Sequence, residues 1–128
     1  MPCGSYQPFV PARRPGGKPD LAPQYRVLVH QKYLSLWDKL VQRIGLQSAQ
    51  RFWDHVAQSP GKIPLVGKAN ILRGKAGKPK RDGFSRTIHY EISGAGRIDY
   101  QYSDSYQTSS NGDPHRVVFI FVINLSSH

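Results

Sequence analysis

Phe84-Ser85-Arg86-Thr87-Ile88-His89-Tyr90-Glu91-Ile92, then Ser93-Gly94-Ala95-Gly96, then Arg97-Ile98-Asp99-Tyr100-Gln101-Tyr102-Ser103: residues 84–103 decide how this chain is read. The first run sets Phe84, Arg86, Ile88, Tyr90 and Ile92 on one side and Ser85, Thr87, His89 and Glu91 on the other. A period of two is that of a strand with one covered face. The middle segment carries the glycines of a hairpin turn. The last run alternates Ile98, Tyr100 and Tyr102 against Arg97, Asp99 and Gln101. The stretch therefore predicts an antiparallel hairpin.

Downstream, a polar loop with Asn111-Gly112-Asp113-Pro114 leads into about 116–125, which is apolar at nearly every position. Such a run predicts a central strand covered on both faces. Upstream the period lengthens. Tyr33, Leu36, Trp37, Leu40, Val41 and Ile44 recur at offsets 0, 3, 4, 7, 8 and 11, one apolar stripe of an amphipathic helix ending at Gly45. Leu46, Ala49, Phe52, Trp53 and Val56 make a second stripe, stopped by Ser59-Pro60-Gly61. So short a join predicts an antiparallel helix pair. Arg26-Val27-Leu28-Val29 reads as a short strand and Asn70-Ile71-Leu72 as a brief extended piece. The expected fold is α+β: a two-helix hairpin packed on a small, mainly antiparallel twisted sheet. It should occupy residues 25–128, with no internal repeat. Residues 1–24 hold six of the ten prolines and show no period, which predicts a flexible Pro/Gly-rich basic arm.

At 128 residues the chain can bury one modest core. Eighteen Lys and Arg against eight Asp and Glu give a net charge of +10, which favours a polyanionic partner. One cysteine, Cys3, excludes an internal disulfide framework and a Cys-rich zinc site. No apolar run approaches the roughly 20 residues of a membrane span. No basic-then-apolar leader opens the chain, so a cytoplasmic protein without a membrane partner is expected.

The charge is concentrated. Lys62, Lys68, Arg73, Lys75, Lys78, Lys80, Arg81 and Arg86 face only Asp82 within residues 62–86, with Gly67, Gly74, Gly77, Pro79 and Gly83 between them. A glycine-spaced cationic loop beside a sheet suits a phosphate backbone, and dense clustering with a single acid favours that over the plainer reading of a solvated loop. Lys68, Arg73, Lys75, Lys78, Lys80, Arg81 and Arg86 are the candidate RNA-binding residues.

His89 and Glu91 share the polar side of one strand, Arg97 and Asp99 that of the next, and the last strand adds Asn124, Ser126 and His128 by the same parity. Two histidines and an arginine on a cationic face are the parts of a metal-free RNA cleavage: one group takes the 2′-OH proton, one protonates the departing 5′-oxygen, and the cation stabilises the phosphorane. Histidine suits proton transfer because its ordinary pKa is about 6.5. The candidate catalytic set is His89, Arg97, His128 and Glu91. Plainer readings stand beside it: His89 and Glu91 as an ordinary strand pair, Arg97 as the partner of Glu91 or Asp99, His128 as a frayed end. No histidine motif of metal-binding spacing occurs, so neither metal nor cofactor is expected.

With the helix pair, Leu72-Arg73-Gly74, the run Gly83–Tyr90, Gly96-Arg97-Ile98-Asp99-Tyr100 and the closing apolar strand, the chain resembles the RelE/ParE toxin superfamily, on the side of the RelE-like mRNA interferases. The resemblance covers about residues 25–128. It implies a catalytic role for Arg97, a contribution from Arg86 or His89 on the preceding strand, and one from His128 at the end of the last. It also implies cleavage of mRNA on the ribosome, leaving a 2′,3′-cyclic phosphate and a 5′-hydroxyl, and restraint by an antitoxin. The proline-rich arm and the loop from Asp104 to Pro114 exceed the family's minimal pattern. Two other readings use the same residues: a non-catalytic nucleic-acid-binding protein, and a gyrase inhibitor of the ParE branch.

Overall fold

The structure, a computed structural model, describes residues 8–62, 68–72, 74–80, 83–92, 96–107 and 114–125. Among them, six strands form one mixed sheet: β1 (Phe9–Pro11), β2 (Arg26–His30), β3 (Lys68–Ile71), β4 (Ile88–Glu91), β5 (Arg97–Tyr106) and β6 (His115–Asn124), in the order β1-β2-β6-β5-β4-β3. β2 runs parallel to β6, and every other pairing is antiparallel. Three α-helices, α1 (Leu34–Asp38), α2 (Leu40–Ile44) and α3 (Leu46–Gln58), lie between β2 and β3 in the chain.

This corrects the expected architecture of a two-helix hairpin on a small, mainly antiparallel sheet. The stripe from Tyr33 to Ile44 is a 3-10 turn followed by two short helices. The break falls at Lys39, where φ −96° and ψ 5° leave the α region and the amide bonds back to both Ser35 and Leu36. An apolar stripe records which side faces the core and not how many helices carry it; of the two expected stripes, Trp37, Leu40, Ala49, Phe52, Trp53 and Val56 are buried, whereas Val41 and Leu46 are exposed.

The sheet is larger than expected because both edges are made of strands too short to show a period. β1 has three residues and ends in Pro11, whose missing N–H confines it to an edge. It belongs to the stretch expected as a flexible arm. Residues 9–14 of that stretch are tied to the fold instead: Val10 pairs with Val29, and Ala12 is buried, while most of residues 16–24 are exposed. The indole N–H groups of Trp53 and Trp37 donate to the carbonyls of Ala12 (2.8 Å) and Arg13 (3.0 Å), and Arg14 grips Asp54 through two nitrogens at 2.7 and 3.0 Å. β3 forms the other edge, in register with β4.

Both faces of the sheet are covered over much of its centre. On one, α3 seats Phe52 edge-on to Tyr90 (4.9 Å between ring centres) and Tyr100 (6.0 Å), above Val27, Val29, Ile88, Ile98, Val118 and Ile120. On the other, Leu28, Val117 and Phe119 are covered by Phe84. Phe84 therefore lies on the opposite side from Ile88 and Tyr90, against the simple alternation expected from 84 to 92. The ladder with β5 begins only at Ile88, so the strand period does not carry back to Phe84.

His55, on the inner side of α3, has a buried Nε2 with no hydrogen-bond partner among the described residues. Its ring lies 5.8 Å from that of Tyr90, and a backbone bond involving Lys62 is its one favourable influence. Burial lowers its pKa below the ordinary 6.5. Because the folded state binds this proton less readily than the unfolded chain, the His55 contribution to stability is complete above about pH 6.5. It is lost as the pH falls through the lowered folded value. The melting temperature should drop between about pH 7.5 and pH 5, and the drop should shrink in His55→Leu.

Candidate functional site

The face of the sheet away from the helices carries the polar residues of the hairpin. Its register is held at the end of the ladder, where the Ile92 amide bonds to the Gly96 carbonyl at 3.0 Å. That bond sets His89 opposite Asp99 and Glu91 opposite Arg97. Cross-strand partners bring their Cβ atoms to about 5 Å and diagonal ones to about 7–8 Å, so His89, Asp99 and Arg97 lie within the span of one phosphodiester.

The carboxylate that engages His89 is Asp99, through Nδ1 at 2.5 Å. Glu91, the carboxylate of the expected set, instead faces Arg97. A carboxylate only accepts, so Nδ1 carries the proton in this bond and Nε2 keeps its lone pair. The two side chains are 27 % and 18 % exposed, enough for the imidazole to be reached and little enough for the pair to hold its orientation. Arg97 lies two residues before Asp99 on the same side of β5, and Asn124 is its register partner in β6. Its Nη1 is buried without a hydrogen-bond partner among the described residues. An unused buried donor costs about 1–3 kcal/mol, and an anionic oxygen would satisfy it. His128 lies outside the described residues.

The cationic segment is tied to the sheet rather than loose. Leu72 N–H donates to Thr87 O (2.8 Å), Thr87 N–H to Gly77 O (2.9 Å) and Ser85 N–H to Tyr102 O (2.8 Å). Gly77 is required here, because a Cβ on it would sit 1.9 Å from the Leu72 carbonyl oxygen. Lys75, Lys78 and Lys80 are exposed on this segment. Arg86 spends two of its nitrogens on the carbonyls of Leu72 (3.0 Å) and Gly74 (2.7 Å), so it staples the segment before it can serve a phosphate. Lys68 belongs to β3, opposite Glu91. Arg73 and Arg81 lie outside the described residues.

Gln101, absent from the expected set, holds this arrangement. Its side chain is 1 % exposed. Its Oε1 accepts from Lys80 N–H (2.8 Å), and its Nε2 donates to Lys78 O and Thr87 Oγ1, both at 3.0 Å. The signal in the sequence was a glutamine on a strand whose neighbours are tyrosines; what it bonds to was not visible there. Gln101→Leu would leave three polar groups without this partner and should cost about 2–4 kcal/mol, taking roughly 1–3 kcal/mol for each group left unsatisfied and allowing water to replace part of the loss. Chemical denaturation would read the loss, and limited proteolysis should then cut near Lys78 and Lys80 first.

Comparison of the chain with protein-family models, with curated proteins and with solved structures finds no match. No helix among the described residues is long and apolar enough to cross a membrane.

Proposed function

We propose that this protein is an endoribonuclease that cuts RNA by attack of the ribose 2′-hydroxyl, drawing its acid–base groups from its own side chains. The observation that carries the reading is the His89–Asp99 pair on the same sheet face as Arg97, in a chain of net charge +10. His89 Nε2 takes the 2′-OH proton while Asp99 fixes the ring through Nδ1 and stabilises the imidazolium that forms. The 2′-oxygen bonds to phosphorus, the bond from phosphorus to the 5′-oxygen breaks, and Arg97 neutralises the charge gathered on the phosphorane. His128 is the acid assigned to the leaving 5′-oxygen. The products are a 2′,3′-cyclic phosphate and a 5′-hydroxyl.

The likeness of residues 83–90 and 96–100 to the RelE-like mRNA interferases extends the proposal to mRNA on the ribosome as substrate and to an antitoxin as partner. The test is incubation of the protein with RNA, both naked and in a translating extract, with and without a chelator, and analysis of the new ends. Cyclic-phosphate ends formed in the presence of chelator support the reading; intact RNA in every arm refutes it. Exposed Lys75, Lys78 and Lys80 favour a second reading, a nucleic-acid-binding protein without catalysis. It predicts binding that weakens steeply with salt and no cleavage.

A further inference from the structure

Beside the His89–Asp99 pair, the same face of the sheet opens into a cavity of about 470 Å³, within the range of small-ligand clefts. Val122, the register partner of Asp99, lines it, so cavity and pair adjoin. Its walls are aromatic. Phe9 stacks on Phe119 with ring centres 4.3 Å apart, and Phe84 closes on Phe119 at 5.1 Å. Phe121 and Tyr33 also line the cavity, and neither is fully buried.

The polar groups of the lining point to an anion. Lys80 Nζ sits 5.0 Å above the Phe121 ring and Lys32 Nζ 5.5 Å from the Tyr33 ring. His30 accepts the Lys32 amide at Nδ1 (3.1 Å), which leaves its proton on Nε2 as a donor. Gln101 spends its amide on Lys78, Lys80 and Thr87. No carboxylate is among the described residues of the lining. Flat apolar surface beside several cationic or N–H donors is complementary to a flat aromatic ring that carries an anionic group.

We propose that this cavity binds one unpaired nucleotide, its base stacked on Phe121 and its phosphate held by Lys80, Lys32 and His30. It rests on the nuclease reading only in taking that nucleotide to be a neighbour of the bond being cut. β1 is part of the site through Phe9, and Gln101 is its positioning residue, since it fixes the backbone of Lys80. Stacking on an aromatic side chain needs no particular base, so the cavity favours single-stranded over paired nucleic acid without strong sequence choice.

Calorimetric titration of the full chain tests this with adenosine 5′-monophosphate, adenosine, ribose 5-phosphate, inorganic phosphate and a single-stranded RNA hexamer as separate probes. Adenosine 5′-monophosphate should bind about tenfold more tightly than any fragment lacking base or phosphate. Phe121→Leu should weaken it by about tenfold while Phe121→Trp retains it, with melting temperatures unchanged. Lys80→Gln should weaken it by about fivefold and flatten its salt dependence. A hexamer that outbinds the mononucleotide and suffers the same Phe121→Leu loss assigns the cavity to a nucleotide within RNA. A hexamer weaker than the mononucleotide assigns it to free nucleotide. The proposal is overturned if inorganic phosphate binds as well as the nucleotide, if Phe121→Leu binds like the wild type, or if no probe binds. Failure of the nuclease reading looks different: RNA stays intact while nucleotide binding keeps its Phe121 dependence. His89→Ala should leave that affinity within about twofold.

Discussion

His89→Ala is expected to slow RNA cleavage by about 10²–10⁴-fold, the range that one positioned general base supplies. Affinity for RNA should change little, because the cations of the 75–80 segment are untouched. Asp99→Asn keeps the size and a hydrogen bond but loses the charge that orients Nδ1–H and stabilises the imidazolium, so its rate should fall between wild type and His89→Ala. Glu91→Gln should stay nearer wild type, since Glu91 faces Arg97 and not the imidazole. Arg97→Ala should cost about 10²–10³-fold, with partial recovery in Arg97→Lys. Single-turnover cleavage of one labelled RNA measures all five variants. Rates within a few-fold of wild type for His89→Ala would remove His89 as the base, and Glu91→Gln slower than Asp99→Asn would exchange the two carboxylates.

The second large effect is on stability. Phe52 is fully buried and touches the rings of Trp37, Tyr90 and Tyr100, the point where the helices meet the centre of the sheet. Phe52→Ala should cost about 3–5 kcal/mol, from lost apolar burial and the void left among rings too stiff to collapse inward. For a chain of this size that is on the order of a 10–20 °C fall in melting temperature. Phe52→Leu should recover about half of the loss. A fall of only a few degrees in Phe52→Ala would mean that the helices carry little of the fold's stability.

Different residues of the site were legible to different degrees. Alternation placed His89, Glu91, Arg97 and Asp99 on one polar side, because in a strand parity decides the face. It did not decide partners. Those depend on the hairpin register, and a shift of one residue would oppose His89 to Tyr100 and scatter the polar set. The Ile92–Gly96 bond fixes the register, and with it makes Asp99 rather than Glu91 the imidazole's companion. The charge cluster was plain in composition, yet Arg86 is used on backbone carbonyls and the segment is held by Gln101, contacts no local pattern announces.

The sequence by itself determined that the alternating runs around 88–91 and 97–103 pair as strands, that a central apolar strand follows, that Trp37, Leu40, Ala49, Phe52, Trp53 and Val56 of the helical stripes face the core, and that the molecule is strongly cationic. These follow from side-chain periodicity and charge, which are local properties. Only the tertiary structure decided that β2 joins β6 in parallel, that residues 9–11 form an edge of the sheet, that the first helical stripe breaks at Lys39, and that Phe84 covers the face opposite Ile88. Each is a pairing or packing choice between segments distant in the chain or too short to show a period. Its energy resides in contacts made only once the chain has closed on itself.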